Sequence, residues 1–181
     1  MKVAYLGRFQ PFHIGHKKVI EEHREEHEDF SVIIGSAEES RTEENPLTAE
    51  ERKNLIQECF PGLEINEKED RDSHRKWTQE LEAETDADAI ISQNDLVKRL
   101  IREHTEMKVI EQELYNPEIY SGTEARRRIK SGEEWRYLIP ECCKNKMEEL
   151  TETIKKSGIN YEFEPGWKKE NAYHSTADSS Q

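Results

Sequence analysis

Cysteine is scarce in this chain: Cys59, Cys142 and Cys143 are the three among 181 residues. An odd count with one adjacent pair does not read as a disulfide framework. It is the pattern of free thiols in a reducing cytoplasm, where this protein is expected. Cys142-Cys143 also lacks the CxxC spacing of a zinc site, so small buried hydrophobes are the simpler reading and no protein-held metal is expected. Long apolar runs are missing too. None approaches the roughly 20 residues of a membrane span, and neither a secretory nor a twin-arginine leader is read at the start, so no membrane partner is expected. Basic charge is in the minority, 27 Lys and Arg against 40 Asp and Glu, for a net charge of −13. That argues against a nucleic-acid binder, which needs basic patches. The absence of Gly-x-x-x-x-Gly-Lys disfavours a P-loop kinase. No helix-turn-helix signal and no internal repeat is visible.

The acid excess is spread in pairs, as in Glu21-Glu22, Glu25-Glu26, Glu38-Glu39, Glu43-Glu44 and Glu50-Glu51. A high-salt adaptation and an ordinary solvated acidic surface both fit it. Neither prevents a local cluster of Arg, Lys and His from seating a small phosphorylated ligand.

What is present is an alternation. Residues 3–7, 30–35, 63–66, 87–92 and 107–113 read as strands. Residues 14–27, 46–60, 74–84, 96–101 and 121 onward read as helices, with a long last helix over about 140–156. Phe30-Ser31-Val32-Ile33-Ile34 is rich in β-branched residues, the composition of a strand buried on both faces. Thr48 with Glu51, and Ser121 with Glu124, have capping-box spacing. Strands alternating with helices predict an α/β domain with a mostly parallel sheet and helices on both faces. That domain is expected over residues 1–164, with a polar, mobile tail over 165–181. Ligands in such folds lie beyond the carboxyl ends of the strands. His13, the Ser36 loop, Ser92-Gln93-Asn94 and Tyr120-Ser121 all fall there.

Two of these segments carry chemistry. Gly7-Arg8-Phe9-Gln10-Pro11-Phe12-His13-Ile14-Gly15-His16 joins a strand to a helix. Such a junction aims backbone N–H groups and a positive helix end at one spot, which suits phosphate. Glycine allows close approach there, and imidazole N–H groups can donate to phosphoryl oxygens. Tyr120-Ser121-Gly122-Thr123-Glu124-Ala125-Arg126-Arg127-Arg128 opens another helix. Thr123 and Arg126 share a face of its first turns, and a guanidinium can donate two bonds to one phosphate. A nucleotide-handling protein with two phosphate seats is the reading from the residues.

These segments resemble the HxGH nucleotidyltransferase superfamily and, within it, the archaeal-type nicotinamide-nucleotide adenylyltransferases. Ile34-Gly35-Ser36-Ala37, Asn45-Pro46-Leu47-Thr48-Ala49-Glu50-Glu51-Arg52, and Trp135 with Leu138 and Pro140 extend the match to about residue 156. The resemblance implies a Rossmann-like nucleotidyltransferase fold and adenylyl transfer from ATP to nicotinamide mononucleotide, giving NAD and pyrophosphate without a covalent intermediate. It implies His13, His16 and Arg126 as catalytic residues. Gly7, Arg8, Phe9, Gly15, Ser92, Asn94, Ser121, Thr123 and Arg127 would bind ATP, with Arg127 on the adenine side. Asp70, His74 and Trp77 would bind the acceptor. Mg2+ would be held mainly through the ATP phosphates. The resemblance also implies a homo-oligomer, and the chain length leaves no room for an appended hydrolase domain.

The chain departs from the family pattern in two places. His74 stands where asparagine is usual, and Ser92-Gln93-Asn94-Asp95-Leu96 lacks the usual proline. The acceptor therefore stays open among nicotinamide mononucleotide, nicotinate mononucleotide, flavin mononucleotide and phosphopantetheine. A non-catalytic nucleotide sensor is the alternative from another class, and it has less need of His13, His16 and Arg126.

Overall fold

The computed structural model describes residues 1–159, so the tail expected over 165–181 lies outside the described residues. Five parallel strands, β1 (Lys2–Gly7), β2 (Asp29–Ile34), β3 (Glu64–Glu67), β4 (Ala89–Ser92) and β5 (Lys108–Ile110), form one sheet in the order β3-β2-β1-β4-β5. The chain builds outward from β1 to β3 and then returns to lay β4 against the other edge of β1. Register runs from Lys2 opposite Asp29 to Gly7 opposite Ile34, and from Val3 opposite Ala89 to Leu6 opposite Ser92. The reversal of strand order between β1 and β4 opens a crevice at their carboxyl ends, where ligands bind in sheets of this kind.

Helices cover both faces: α1 (Ile14–Glu26), α2 (Ala49–Cys59), α3 (His74–Thr85), α4 (Asp95–His104), α5 (Gly122–Ser131) and α6 (Lys144–Lys156). The two-residue period of β1 sends alternate side chains into two cores. Val3 and Tyr5 join Val19 and Ile20 of α1, Leu55 and Ile56 of α2, Ile129 of α5 and Met147 and Ile154 of α6. Ala4 and Leu6 join Trp77 and Leu81 of α3 and Ile101 of α4. The predicted caps form: Thr48 accepts from the Glu51 N–H and Ser121 from the Glu124 N–H.

The structure corrects three expectations. The last strand is shorter than residues 107–113, because beyond Ile110 the Glu111 carboxylate turns to Lys98 and Gln112 to His23 instead of continuing the ladder. The helix expected from Pro140 starts as a separate 3-10 turn, Glu141–Cys143, before α6. The third concerns cysteine. Cys59 and Cys142 are joined in a disulfide across 83 residues of sequence, leaving Cys143 free and buried. Cys59 ends α2 and Cys142 sits in the 3-10 turn, and the packing of these two elements brings their Cα atoms to 5.2 Å. Cysteine spacing in sequence cannot reveal such a pairing, and the inference from free thiols to a reducing compartment falls with it. Closing so long a loop restricts the unfolded chain, so reduction should lower unfolding stability by about 2–4 kcal/mol. Urea midpoints with and without reductant check this; identical midpoints would mean that the bond contributes nothing in solution. Among the described residues, no helix is long and apolar enough to cross a membrane.

Candidate active site

Three helix N-termini border the crevice, which is lined by His16 of the first turn of α1, Asn94 at the cap of α4, and Gly122 and Thr123 at the start of α5. Their first-turn N–H groups carry partial positive charge toward it. The crevice is a cleft of about 430 Å³, lined by Gly7, Arg8, Phe9 and His16 from the β1–α1 junction and by Ser92 and Asn94 after β4. Thr123 and Arg126 of α5 line it, as do Asp70 and Trp77. A smaller adjoining cavity of about 190 Å³ takes His13, Gly15 and Ser121, with His16 common to both. The structure thus gathers residues from across most of the described chain around one space.

The junction after β1 is tightly built. Phe9 has a left-handed backbone (φ +54°), as does Ser36 (φ +44°) beyond β2. Each such non-glycine residue costs about 1–3 kcal/mol and persists where surroundings over-determine it. At Phe9 those surroundings are aromatic: its ring meets Tyr5 edge-on at 5.4 Å and the His16 imidazole at 4.7 Å. Phe12 lies parallel to His16 on another side. The His13 and His16 rings stack with centroids 3.6 Å apart. Gly15 permits this, because a Cβ there would stand 2.8 Å from His13 Cε1.

The His13 backbone N–H donates to His16 Nδ1 at 3.2 Å. Nδ1 must then be bare, which leaves the proton of a neutral His16 on Nε2. Burial, and then the neighbouring His13, hold the His16 pKa well below its ordinary value. Burial lowers that of His13 to about 4. Both rings are therefore neutral N–H donors at physiological pH. Linkage gives the sign of a consequence. The unfolded chain takes up a proton on His13 near pH 6.5 and the folded one only near 4, so stability should fall as pH drops through that window. A His13→Asn variant should show a flatter profile in urea unfolding from pH 7 to 4; an unchanged slope would count against the burial of a neutral imidazole.

Opposite the histidines, Arg126 Nη1 donates to the Gln10 carbonyl at 2.7 Å and Nη2 reaches Thr123 Oγ1 at 3.4 Å. Gly122 makes room, since a Cβ there would lie 3.0 Å from both Arg126 Nη1 and the Gln10 carbonyl oxygen. Burial first, and then the charge of Arg8, lower the Arg126 pKa. Two guanidiniums converging on one cleft are an electrostatic cost that a polyanion would relieve.

Not every expected residue lines this space. Arg127 directs its guanidinium to Glu124 (2.8 and 3.0 Å) and to Glu133 (2.6 Å), and these ion pairs hold it off the cleft. His74 is exposed at the first position of α3 and is not among the lining residues, whereas Trp77 one turn later is. Trp77 is buried, and its Nε1–H finds no partner among the described residues. Asp70 accepts from Ser36 Oγ at 2.9 Å, which ties the loop before α3 to the end of β2.

Three residues at the site went unassigned in the sequence. Gln10 is buried and exchanges both its amide hydrogen bonds with Leu47, at 2.9 Å each. Gln93 lines both cavities with a buried Nε2 that has no partner among the described residues. Arg52 is fully buried and donates to the carbonyl oxygens of Arg8, Gly35, Ser36, Glu39 and Thr48. Its place in Thr48-Ala49-Glu50-Glu51-Arg52 was the available signal, but a helical arginine reads as solvent-facing until the tertiary fold is known. Among the described residues lining the cleft, Asp70 is the only carboxylate. That donor set fits a divalent ion held by phosphates and water rather than by a protein cage.

Residues 4–131 match the cytidylyltransferase-like family model. A nicotinamide-nucleotide adenylyltransferase of Methanococcus aeolicus is 39% identical over 156 residues, covering 83% of this chain and 90% of the relative. The enzymes of that name from Archaeoglobus fulgidus and Halorubrum lacusprofundi are 34% and 32% identical, covering 78% and 83% of this chain and 87% and 88% of theirs. Among solved structures, a bifunctional NMN adenylyltransferase/ADP ribose pyrophosphatase from Francisella tularensis superposes with a TM-score of 0.71 at 20% identity. The superposition covers 95% of this chain and 54% of that one, so this chain spans about half the bifunctional protein, and the likeness is one of fold. A second structure of that Francisella protein contains AMP and a manganese ion.

Proposed function

Because the chain belongs to the cytidylyltransferase-like family and, within it, groups with the archaeal nicotinamide-nucleotide adenylyltransferases, we propose that it transfers the adenylyl group of ATP to nicotinamide mononucleotide, giving NAD and pyrophosphate. The observation that carries this reading is the convergence of His16, Arg8, Thr123 and Arg126 with Trp77 on one cleft at the β1–β4 switch point.

The acceptor's 5′-phosphate oxygen attacks the α-phosphorus of ATP, and the bond from that phosphorus to the oxygen bridging the β-phosphate breaks. The bridging oxygen leaves with its electron pair as pyrophosphate. The nucleophile is already an anion, so the site needs no strong base; positioning and charge stabilisation do the work. His16 Nε2–H and His13 donate to phosphoryl oxygens as charge shifts toward the leaving group. Being neutral, they add donors without a fixed charge that would have to be desolvated. Arg126, Thr123, Ser121 and Arg8 hold the departing β- and γ-phosphates, and the N-terminal N–H groups of α5 add to that seat. Gly7, Phe9 and Gly15 shape the wall along ATP, and Ser92 and Asn94 approach it from β4. Trp77 offers a flat face for the nicotinamide ring, with Asp70 beside it. A divalent ion such as Mg2+, held mainly by the ATP phosphates and water, would neutralise phosphate charge. A cytoplasmic location stays part of this proposal, and the Cys59–Cys142 bond lends it no support. A homo-oligomer, as the resemblance implies, stays part of this proposal.

The test is to incubate the protein with ATP, Mg2+ and a panel of mononucleotides and to quantify pyrophosphate and dinucleotide. Fastest turnover with nicotinamide mononucleotide is expected. Faster turnover with nicotinate mononucleotide, flavin mononucleotide or phosphopantetheine would keep the mechanism and move the acceptor. Tight ATP binding with no product would favour a nucleotide sensor.

A further inference from the structure

The other end of α1 carries a group of side chains that adenylyl transfer does not use. His23 and Glu26 in its last turn and His27 at its C-cap form a His-x-x-Glu-His pattern in which each residue offers one ligand atom and all three atoms lie within 4.8 Å of one another. His23 is buried at 4% exposure, yet its Nδ1 has no hydrogen-bond partner among the described residues. Glu26 Oε2 stands 3.8 Å from that nitrogen. The His27 ring lies parallel to that of His23 at 5.7 Å, and the His27 backbone N–H donates to the His23 carbonyl at 3.0 Å.

The opposite edge of His23 explains why Nδ1 is bare. His23 Nε2 meets Gln112 Oε1 at 2.5 Å, while Gln112 Nε2 donates to the Glu22 carboxylate and to the Glu113 carbonyl. Those two acceptors fix the amide orientation, so the oxygen must face His23. An amide oxygen can only accept, so Nε2 carries a proton, and in the neutral ring Nδ1 keeps a free lone pair 3.8 Å from Glu26 Oε2. A ligating imidazole whose other nitrogen donates to a protein oxygen is the arrangement that orients histidine on a metal.

We infer that His23 Nδ1, the Glu26 carboxylate and His27 form a site for a borderline transition-metal dication, Zn2+ being the probe of choice, at the carboxyl end of α1. Two imidazoles and one carboxylate suit such ions better than Mg2+ or Ca2+, which take oxygen shells. Bonds of about 2.0–2.1 Å place tetrahedral ligand atoms roughly 3.3 Å apart, so closure from within 4.8 Å needs shifts of up to about 1.5 Å and a rotation of the His27 ring out of its parallel arrangement. The Glu26 side chain is 59% exposed, which leaves that movement free and the fourth position open to water. Bound metal would pin the end of α1 to the segment after β5 through Gln112. The site is seven residues from His16, roughly 10 Å along the helix, and the inference is independent of the acceptor of the adenylyl group.

Titration of the full chain with Zn2+ against a chromophoric chelator, without nucleotide, is the test. One Zn2+ per chain is expected, with a rise in thermal midpoint. His27→Ala and Glu26→Gln, at exposed or half-buried positions, should lose that binding while melting like the zinc-free parent. Gln112→Leu should weaken it about 10–100-fold, because the Nε2–H then has no acceptor to orient the ring. NAD formation should be the same in all of these variants. No stoichiometric Zn2+ in the parent, or equal affinity in the parent and a Glu26→Gln/His27→Ala double variant, would overturn the site.

Discussion

Replacing His16 with alanine should lower kcat for adenylyl transfer by about 10²–10³-fold, the usual effect of removing one preorganised donor from a developing oxyanion. The expectation follows from the ring's fixed tautomer. The His13 backbone N–H occupies Nδ1, and Phe9 and Phe12 hold the imidazole plane, so Nε2–H is already aimed when substrate arrives. A donor that needs no reorganisation acts most on the transition state, so KM for ATP should change far less than kcat. His16→Asn, which keeps an N–H of similar reach, should recover part of the loss. Steady-state kinetics on both variants check this. A kcat within threefold of the parent in His16→Ala would remove His16 from the mechanism.

Arg52→Met should be the most damaging single change to stability outside the hydrophobic core. The side chain is fully buried, yet it serves five carbonyl oxygens from four different stretches of chain. Methionine fills much of the volume and donates nothing, leaving several buried acceptors unpaired. At about 1–3 kcal/mol for each orphaned group, and with partial relaxation, a loss of about 3–5 kcal/mol is expected. The guanidinium itself is costly to bury, and burial lowers the Arg52 pKa to about 10. The site is the second readout. Arg52 holds the backbone of Arg8, Gly35 and Ser36, so folded Arg52→Met should bind ATP more weakly at low temperature. Urea unfolding and ATP titration below the unfolding range separate the two effects. A loss under 1 kcal/mol would mean that water replaces the guanidinium without cost.

Much of this arrangement was legible before any coordinates. The β-branched run of β2 and the capping residues Thr48 and Ser121 located elements to within a few residues, because strand and helix periods and caps are local properties. The segments His13–His16 and Ser121–Arg126, which border the cleft and its adjoining cavity, were legible for the same reason: each is a short stretch at the start of a helix. His74 and Arg127 show the limit of that logic. Both fell inside matching motifs, but one faces solvent and the other is drawn to Glu124 and Glu133. Only the assembled structure reveals such competition for a side chain.

The sequence by itself determined the alternating α/β order, the two helix-start segments that border the cleft and the family. These rest on residues near one another along the chain, where steric preference and hydrogen bonding act without long-range contacts. Tertiary structure alone decided the Cys59–Cys142 pairing, the burial of Arg52 under five carbonyl groups and the proton position on His23. Each depends on groups brought together across long stretches of chain: 83 residues for the cysteines and 89 for His23 and Gln112. Which partners meet at that distance is set by packing of the whole sheet and its helices, and a partner's identity then fixes burial, charge state and the direction of a proton.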